Sequence, residues 1–460
     1  MADAHLLQTV TLLWHDTLQA LHPLWRETHQ AAMHVAGWPG WEFLYDGAAR
    51  FIFYYPLFMA YVWMIGAMLY YVRWERRDGD PVDDLPELAE YPPVSILIPC
   101  HNEADNIRET IAYALRQKYP DFEIIAINDG STDNTLEILQ ELAARHQRLR
   151  VVNLASNQGK AMGLKTAALL ANSEYLICID GDALLAPEAA TWMVRHFLHN
   201  PRVGAVTGNP RIRNRSTLLG RIQVGEFSAI VGVIKRAQRV YGRVFTVSGV
   251  IAAFRKSALH RVGYWSNDMV TEDIDITWKL QLDHWEVRFE QNALCWVLMP
   301  ETLKGLWRQR LRWAQGGAEV LIRYFRPILR WSSHRLWPLY LECLASVSWS
   351  YLILAAVLYM PFDLFTETTR ESLEDLSPSW TSMLLSFTCL IQFGVSLAID
   401  SRYEKRTGGT ARYYYWMIWY PIVYWMINVA TTVTGMVKAL KKKRGQRAVW
   451  VTLDRGLRHK

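Results

Sequence analysis

Cysteine is scarce in this sequence, with five residues among 460, and none of them stands at a paired spacing. This excludes a disulfide framework or a zinc site and indicates small, buried apolar side chains. A strong charge of one sign is also lacking, because the net charge is only +6. The basic residues stand in short clusters beside apolar runs, which predicts membrane orientation and no nucleic-acid partner.

Aromatic residues, in contrast, are abundant, with 21 Trp and 22 Tyr. Such residues collect at the two membrane interfaces. Residues 51–72 form an uninterrupted apolar run, long enough to span a bilayer of roughly 30 Å. Arg73, Arg76 and Arg77 follow this run, so the next domain is expected in the cytoplasm.

The pattern divides the chain into seven predicted parts. They are an N-terminal amphipathic segment (1–50), a transmembrane helix (51–72), a linker (73–93), a cytoplasmic domain (94–300), interfacial helices (301–336), a C-terminal transmembrane region (337–437) and a basic tail (438–460). Spanning helices are expected at 337–360 and 380–399, with the acidic loop between them outside.

The last apolar run, residues 413–437, contains Pro421 and ends in a basic cluster. Counting membrane crossings places the C-terminus outside, whereas the basic cluster favours the inside. A proline-broken re-entrant or interfacial segment would reconcile the two, and the sequence leaves the choice open.

Between residues 94 and 299, short apolar strands alternate with stretches of helical spacing. This alternation predicts an α/β domain with a doubly wound, mostly parallel sheet, inserted between the membrane helices. Ser131 or Thr132 is the expected cap of the helix through Leu139.

Acidic residues stand at the predicted strand ends, which lie on one rim in such a fold. Asp180 and Asp182 flank a glycine after a buried strand, and Glu103 and Asp129 follow two others. Two carboxylates so spaced can share a hard divalent cation with phosphate ligands, although Asp-Gly-Asp also suits a plain turn. Asp129 can accept hydrogen bonds from the base of a nucleotide, or it can cap the next helix.

Three other motifs bear charged or aromatic groups, and each has a structural alternative. Lys160 can meet a nucleotide, or its loop can cap a helix. Thr271-Glu272-Asp273 can supply a base or form a capping box. Gln309, Arg312 and Trp313 share one helix face, which also suits a membrane anchor.

Together, Asp129, Asp180-Gly181-Asp182, Thr271-Glu272-Asp273 and the stretch Gln309 to Trp313 resemble the D, DxD, TED and QxxRW signature of processive, inverting family-2 glycosyltransferases. Residues 206–213, 245–254 and 299–319 are similar to the bacterial synthases of β-1,6-linked poly-N-acetylglucosamine. The resemblance covers residue 51 to the C-terminus, whereas the N-terminal segment departs from it.

The resemblance implies a GT-A-type fold and a role for each matching residue. Asp273 is expected to be the general base and Asp182, with Asp180, the ligand of Mg²⁺ or Mn²⁺. The remaining expectations fall into two groups. Donor contacts are assigned to Asp129, Asp180, Glu103, Lys160 and Arg312, and acceptor contacts to Gln309, Trp313, Glu272, Ser248 and Gly249.

The resemblance also implies a bacterial inner-membrane enzyme that extends a biofilm polysaccharide from UDP-GlcNAc. A small membrane partner and cyclic di-GMP are the expected regulators. A cellulose, chitin or hyaluronan synthase is an alternative within the same class. A non-catalytic scaffold for cyclic di-GMP is the alternative of another class, because Arg211 to Arg215 has an RxxxR spacing.

Overall fold

The computed structural model describes residues 41–76, 78, 83–365, 380–404, 409–443 and 445–448. The strands are β1 Val94–Cys100, β2 Phe122–Asp129, β3 Leu149–Leu154, β4 Tyr175–Ile179, β5 Leu184–Leu185, β6 Val203–Ile212, β7 Ile251–Arg255 and β8 Glu286–Val297. The helices of the catalytic domain are α2 Ile107–Ala114, α3 Thr135–Arg145, α4 Lys160–Leu170, α5 Ala189–His199, α6 Leu218–Phe227, α7 Lys235–Tyr241, α8 Lys256–Arg261 and α9 Glu272–Leu282. The flanking helices are α1 Trp41–Tyr70, α10 Leu303–Ile328, α11 Trp337–Phe365, α12 Trp380–Asp400 and α13 Trp425–Lys441.

Two compact units divide the chain, Met1–Tyr55 and Pro56–Lys460, and every contact described below lies within the second. The eight strands form one sheet in the order β3-β2-β1-β4-β7-β6-β8-β5. Strands β3, β2, β1 and β4 are mutually parallel, and β6 is parallel to β8. Strand β7 runs antiparallel to both β4 and β6. The predicted doubly wound, mostly parallel sheet is therefore confirmed, with an antiparallel strand joining its two halves.

Burial explains why the central strands read as continuous apolar runs. Every residue of β1 and β4 is buried, because helices cover both faces of the sheet. Ile96, Ile98 and Ile177 belong to the core on one face, and Leu97, Leu176 and Cys178 to the core on the other. The cysteines are free, and all but Cys343 are buried, as expected.

The predicted cap of α3 is wrong. The helix begins at Thr135, beyond both Ser131 and Thr132. Asn134 stands at the N-cap, and its side chain makes no capping hydrogen bond. The Asp133 carboxylate accepts a hydrogen bond from the backbone N–H of Thr135 at 3.1 Å. Ser131 and Thr132 bond Asn102 in the loop after β1 instead of the helix.

Three helices are long and apolar enough to cross a membrane: Phe43–Glu75, Trp331–Leu358 and Trp380–Tyr403. The first begins earlier than the predicted residue 51, and the second begins before residue 337. Of the predicted N-terminal amphipathic segment, residues 1–40 lie outside the described residues. The predicted acidic external loop and most of the basic tail also lie outside them.

Buried ion pairs join the membrane helices to the catalytic domain. Arg236 of α7 donates to Glu75, just after α1, at 2.8 Å and to Asp400, at the end of α12, at 3.1 Å. Asp400 also accepts from Arg211 of β6. Because removing one member would leave a buried charge uncompensated, these pairs hold the domain firmly to both helices.

The proline-containing segment after α12 begins and ends against the catalytic domain. Its 3₁₀ turn Ala411–Trp419 and π turn Tyr420–Tyr424 lead into α13. At its start, Asp400 contacts Arg211 and Arg236. At its end, Lys442 donates a hydrogen bond to the backbone carbonyl of Asp268. The two ends therefore meet the same domain, as in the re-entrant or interfacial alternative.

Candidate active site

Lys160 lies at the centre of the candidate site. It is the first residue of α4, and its ammonium lies 2.6 Å from Asp180 and 2.9 Å from Glu272. It also donates a hydrogen bond to the carbonyl of Gly249 at 3.1 Å. Burial alone would lower the pKa of Lys160, but the surrounding carboxylates raise it, so the ammonium stays charged. The sequence motifs at Asp180, Glu272 and Gly249 thus meet at one cation.

Asp273 lies beside this cluster with a pKa suited to a base. Its Oδ2 comes within 3.0 Å of the point where a Cβ on Gly249 would lie, so a side chain there would press on this carboxylate. Burial and the neighbouring Glu272 raise the pKa of Asp273 to about 6, against the lowering influence of Lys160 and Arg312. A carboxylate with a pKa near neutrality is a good proton acceptor.

The capping-box alternative for this motif does not match the geometry. Thr271 stands at the N-cap of α9, yet its side chain makes no capping hydrogen bond. The Glu272 carboxylate pairs with Lys160. Burial alone would raise the pKa of Glu272, but the Lys160 charge holds it below its ordinary value. Both acidic residues are therefore directed toward the cluster.

Asp180 and Asp182 follow β4 on the rim of the sheet, and Glu103 packs directly on the glycine between them. Burial, with the charge of Asp180, raises the pKa of Asp182 to about 7. Two hard oxygen donors that repel each other in this way suit a divalent cation such as Mg²⁺ or Mn²⁺. No cluster of three metal-binding side chains occurs in the described ranges, so phosphate and water would supply the other ligands.

Asp129 is buried at the end of β2, where it holds the loop before α4. Its two carboxylate oxygens accept hydrogen bonds from the backbone N–H groups of Gln158 (2.7 Å) and Gly159 (2.8 Å). Asp129 therefore does not cap the next helix, α3, and its carboxylate holds the loop before α4 instead. Asp129 positions the residue that precedes Lys160.

Helix α10 packs closely against the start of α9. A Cβ on Gly316 would lie 1.9 Å from Thr271 Oγ1, so this approach requires glycine. One turn earlier along α10, Arg312 lies near enough to lower the pKa values of both Glu272 and Asp273. No salt bridge to Arg312 occurs among the residues described. Its positive charge therefore faces the cluster without a fixed acidic partner.

Gln309 lies one turn before Arg312 on α10, and Trp313 follows Arg312 directly. Both lie on the same side of the helix as Arg312, but they contact groups outside the Lys160 cluster. Gln309 is buried and donates to the Met299 sulfur at 3.8 Å. Trp313 packs beside Phe227 and under the Arg310 guanidinium, which lies 4.3 Å from the ring centre. Ser248 donates its backbone N–H to Thr207. These three predicted acceptor residues surround the cluster without touching Lys160 or Asp273 in the described contacts.

Two further features near the site gave no signal in the sequence. Lys235 is buried and donates to Thr207 Oγ1 at 3.1 Å. Burial lowers its pKa to about 7, although Asp273 opposes the shift. At the C-terminus, Arg447 donates to Gln158 at 2.7 Å, beside the loop that Asp129 holds. The sequence could not predict these contacts, because Lys235 stands in an ordinary helix pattern and Arg447 in a basic tail.

Comparison with known proteins assigns this arrangement to a family. Residues 95–263 match the model of glycosyl transferase family 2. The poly-β-1,6-N-acetyl-D-glucosamine synthase of Staphylococcus epidermidis is 42% identical over 411 residues, which cover 88% of this chain and 98% of that protein. The chain belongs to the poly-β-1,6-N-acetyl-D-glucosamine synthase family. The predicted enzyme class, a family-2 hexosyltransferase, is confirmed.

A second relative and one solved structure agree with this family. The synthase of the same name from Staphylococcus aureus strain MSSA476 is 41% identical over 414 residues, covering 88% of this chain and 98% of that protein. A mannosyltransferase from Pyrobaculum calidifontis, solved with GDP-mannose and Mn²⁺, has a TM-score of 0.56 at 21% identity. It covers 85% of this chain and 99% of its own, and it supports the GT-A-type fold of this synthase-family member.

Proposed function

We propose that this protein polymerises N-acetylglucosamine from UDP-GlcNAc into a β-1,6-linked glycan and passes the chain across the bacterial inner membrane. The main observation behind the proposal is the position of the Lys160 ammonium. It pairs with Asp180 on the donor side and with Glu272, the neighbour of the proposed base Asp273, on the acceptor side. The membership of the synthase family supports the sugar and the linkage.

In this mechanism, Asp273 accepts the proton of the acceptor hydroxyl as that oxygen attacks the anomeric carbon. The bond from the anomeric carbon to the diphosphate breaks on the opposite face, so an α-linked donor gives a β-linked product. Gly249 leaves space beside the Asp273 carboxylate for the acceptor. Arg312 stabilises the diphosphate leaving group with its charge.

Asp180 and Asp182 would hold Mg²⁺ or Mn²⁺, which when bound neutralises charge on the diphosphate. Asp129 fixes the loop before Lys160, and Glu103 supports the turn between the two aspartates. Ser248, Gln309, Glu272 and Trp313 shape the acceptor side. Trp313 offers an apolar ring face to a sugar.

Product analysis tests this function. Membranes containing the protein are supplied with radiolabelled UDP-GlcNAc, UDP-glucose or UDP-glucuronate, each in a separate reaction. We expect polymer only from UDP-GlcNAc, and we expect a glycosidase specific for β-1,6-linked N-acetylglucosamine to degrade it. Membranes with Asp273→Asn are the matched control. A polymer that resists this enzyme would indicate a chitin-type or other synthase, and no polymer from any donor would favour the scaffold.

We also propose that the catalytic domain faces the cytoplasm and that a small membrane subunit, regulated by cyclic di-GMP, assists the enzyme. Arg73 lies in the last turn of the first candidate spanning helix and Arg76 follows it, as expected for a cytoplasmic flank. Glu137 is exposed on α3, so Glu137→Cys reports its side of the membrane. We expect this cysteine to resist a membrane-impermeant thiol reagent in intact cells and to react after lysis. Reaction in intact cells would reverse the orientation.

A further inference from the structure

A cavity of about 760 Å³ opens between the end of β6, helix α6 and the 3₁₀ turn Ala411–Trp419. Four arginines and three aromatic residues dominate its lining, which contains no acidic side chain. The lining consists of Ile212, Arg213, Arg215, Ser216, Arg221, Trp296, Arg412, Tyr413 and Trp416. None of these residues belongs to the Lys160 cluster. The cavity adjoins the metal side of the candidate site, because the charge of Arg213 opposes the raised pKa of Asp182.

Aromatic rings hold the guanidinium groups in place. Arg215 and Arg412 both lie over Tyr413, at 5.4 Å and 4.9 Å from the ring centre. Arg221 lies over Trp416 at 5.3 Å. Such contacts orient a guanidinium but leave its charge in place. Three of the four guanidinium groups are therefore oriented by aromatic rings of the lining.

The positive charge of this array is only partly compensated. Arg213 pairs with Glu109 at 2.7 Å, and Arg215 pairs with Glu404, both outside the lining. Among the described residues no carboxylate lies within salt-bridge distance of Arg221, whose Nε donates to the Arg215 carbonyl at 3.3 Å. Four like charges around one cavity repel one another, and an anion between them would relieve that repulsion.

The position of the cavity favours a ligand at the membrane surface. Arg412, Tyr413 and Trp416 follow the candidate spanning helix Trp380–Tyr403. Tyr and Trp are enriched at the membrane–water interface, and basic pockets at helix ends bind lipid head groups. Arginine binds phosphate oxygens in a bidentate manner, and several guanidiniums here face a common space.

We propose that this cavity binds a phosphate-bearing anion, supplied either by an anionic lipid headgroup or by a soluble phosphate. Arg221 lies on α6 and Arg412 on the 3₁₀ turn, so the bound anion links the catalytic domain to the segment that precedes α13. This site goes beyond the proposed polymerisation, and its occupancy can be measured without any sugar donor.

The test uses the purified full-length protein in a neutral detergent and follows its thermal unfolding midpoint. One arm titrates short-chain phosphatidylglycerol, with short-chain phosphatidylcholine as the neutral counterpart. The other arm titrates sodium pyrophosphate at constant ionic strength. We expect the midpoint to rise with at least one anion but not with phosphatidylcholine, because ligands that bind only the folded state stabilise it. A rise with phosphatidylglycerol alone identifies a lipid source, and a rise with pyrophosphate a soluble one.

Three variants assign the response to this cavity. Arg221→Gln combined with Arg412→Gln should weaken the anion response by at least about tenfold in half-saturating concentration, because charge-assisted hydrogen bonds are lost. The same two positions changed to Lys retain the charge and should keep most of the response, which separates charge from folding. Arg330→Gln alters an exposed arginine outside the cavity and should respond like the parent. A parent that ignores both anions, or a double Gln variant that responds fully, would overturn the proposal.

Discussion

The Lys160 ammonium lies 2.6 Å from Oδ1 of Asp180, the first carboxylate of the Asp-Gly-Asp turn. The same ammonium lies 2.9 Å from Glu272, immediately before the proposed base. One buried cation therefore connects the donor side to the acceptor side. A change on one side alters the electrostatics of the other, and the variants below separate the two contributions.

Asp273→Asn keeps the size of the side chain but removes the base. We expect turnover to fall by roughly two to four orders of magnitude, with little change in UDP-GlcNAc affinity. Asp182→Asn should weaken both metal-dependent donor binding and turnover. UDP binding and polymer formation are measured for both variants in the same membranes. Asp283→Asn, at the other end of α9, is the control. Near-parent turnover in Asp273→Asn would leave this residue a structural role only.

The pH dependence of turnover should report the raised pKa of Asp273, which is about 6. The base acts in its ionised form, so turnover is full above this value and falls as the pH drops through it. Rates are measured at saturating donor and metal from about pH 4.5 to 8. Turnover that stays full down to about pH 5, as expected for the ordinary aspartate pKa of about 4, would contradict the assignment.

Lys160→Met removes the cation that opposes the raised pKa of Asp273. We expect the acid limb of the pH profile, where turnover falls as the pH drops, to move to higher pH. Turnover near neutrality should fall at least about tenfold. Lys165→Met, on the same helix, should leave the limb in place. The pH profile distinguishes this effect from a loss of fold, which would lower turnover without moving the limb.

Metal removal should stop synthesis. Asp180 and Asp182 provide hard oxygen donors for which Mg²⁺ and Mn²⁺ are suited. EDTA is added to active membranes, and each cation is then restored in excess. We expect no polymer with EDTA and recovery with at least one cation. Full polymerisation in EDTA would contradict the metal assignment.

Gly316→Ala should disrupt the packing that places α10 against the start of α9. The new Cβ would lie 1.9 Å from Thr271 Oγ1, whereas a Cβ on the adjacent Gly317 would meet Phe245 at 3.7 Å. We expect about 1–3 kcal/mol of destabilisation and about a hundredfold lower turnover for Gly316→Ala, and little change for Gly317→Ala. Thermal midpoints and polymer yields are compared. Equal behaviour of the two variants would show that the close contact is dispensable.

Local patterns in the sequence determined much of this molecule. The alternation of short strands and helices between residues 94 and 299 was predicted correctly, because each element depends on residues close in the chain. The strand-end positions of Asp129, Asp180 and Asp182 followed from the same alternation. Signature motifs then indicated the enzyme class, since their residue types and order are specific even without coordinates.

Only the tertiary structure decided which groups meet. The hydrogen bond from Lys160 to Gly249 joins residues 89 apart in the chain, and Lys235 reaches Thr207 from a separate helix. Ser131 and Thr132 do not cap α3 because they bond Asn102 in the loop after β1. Periodicity reports burial and helix or strand, but contacts between distant elements depend on how packed layers bring particular side chains together. The shared cation of the active site is therefore a property of the fold.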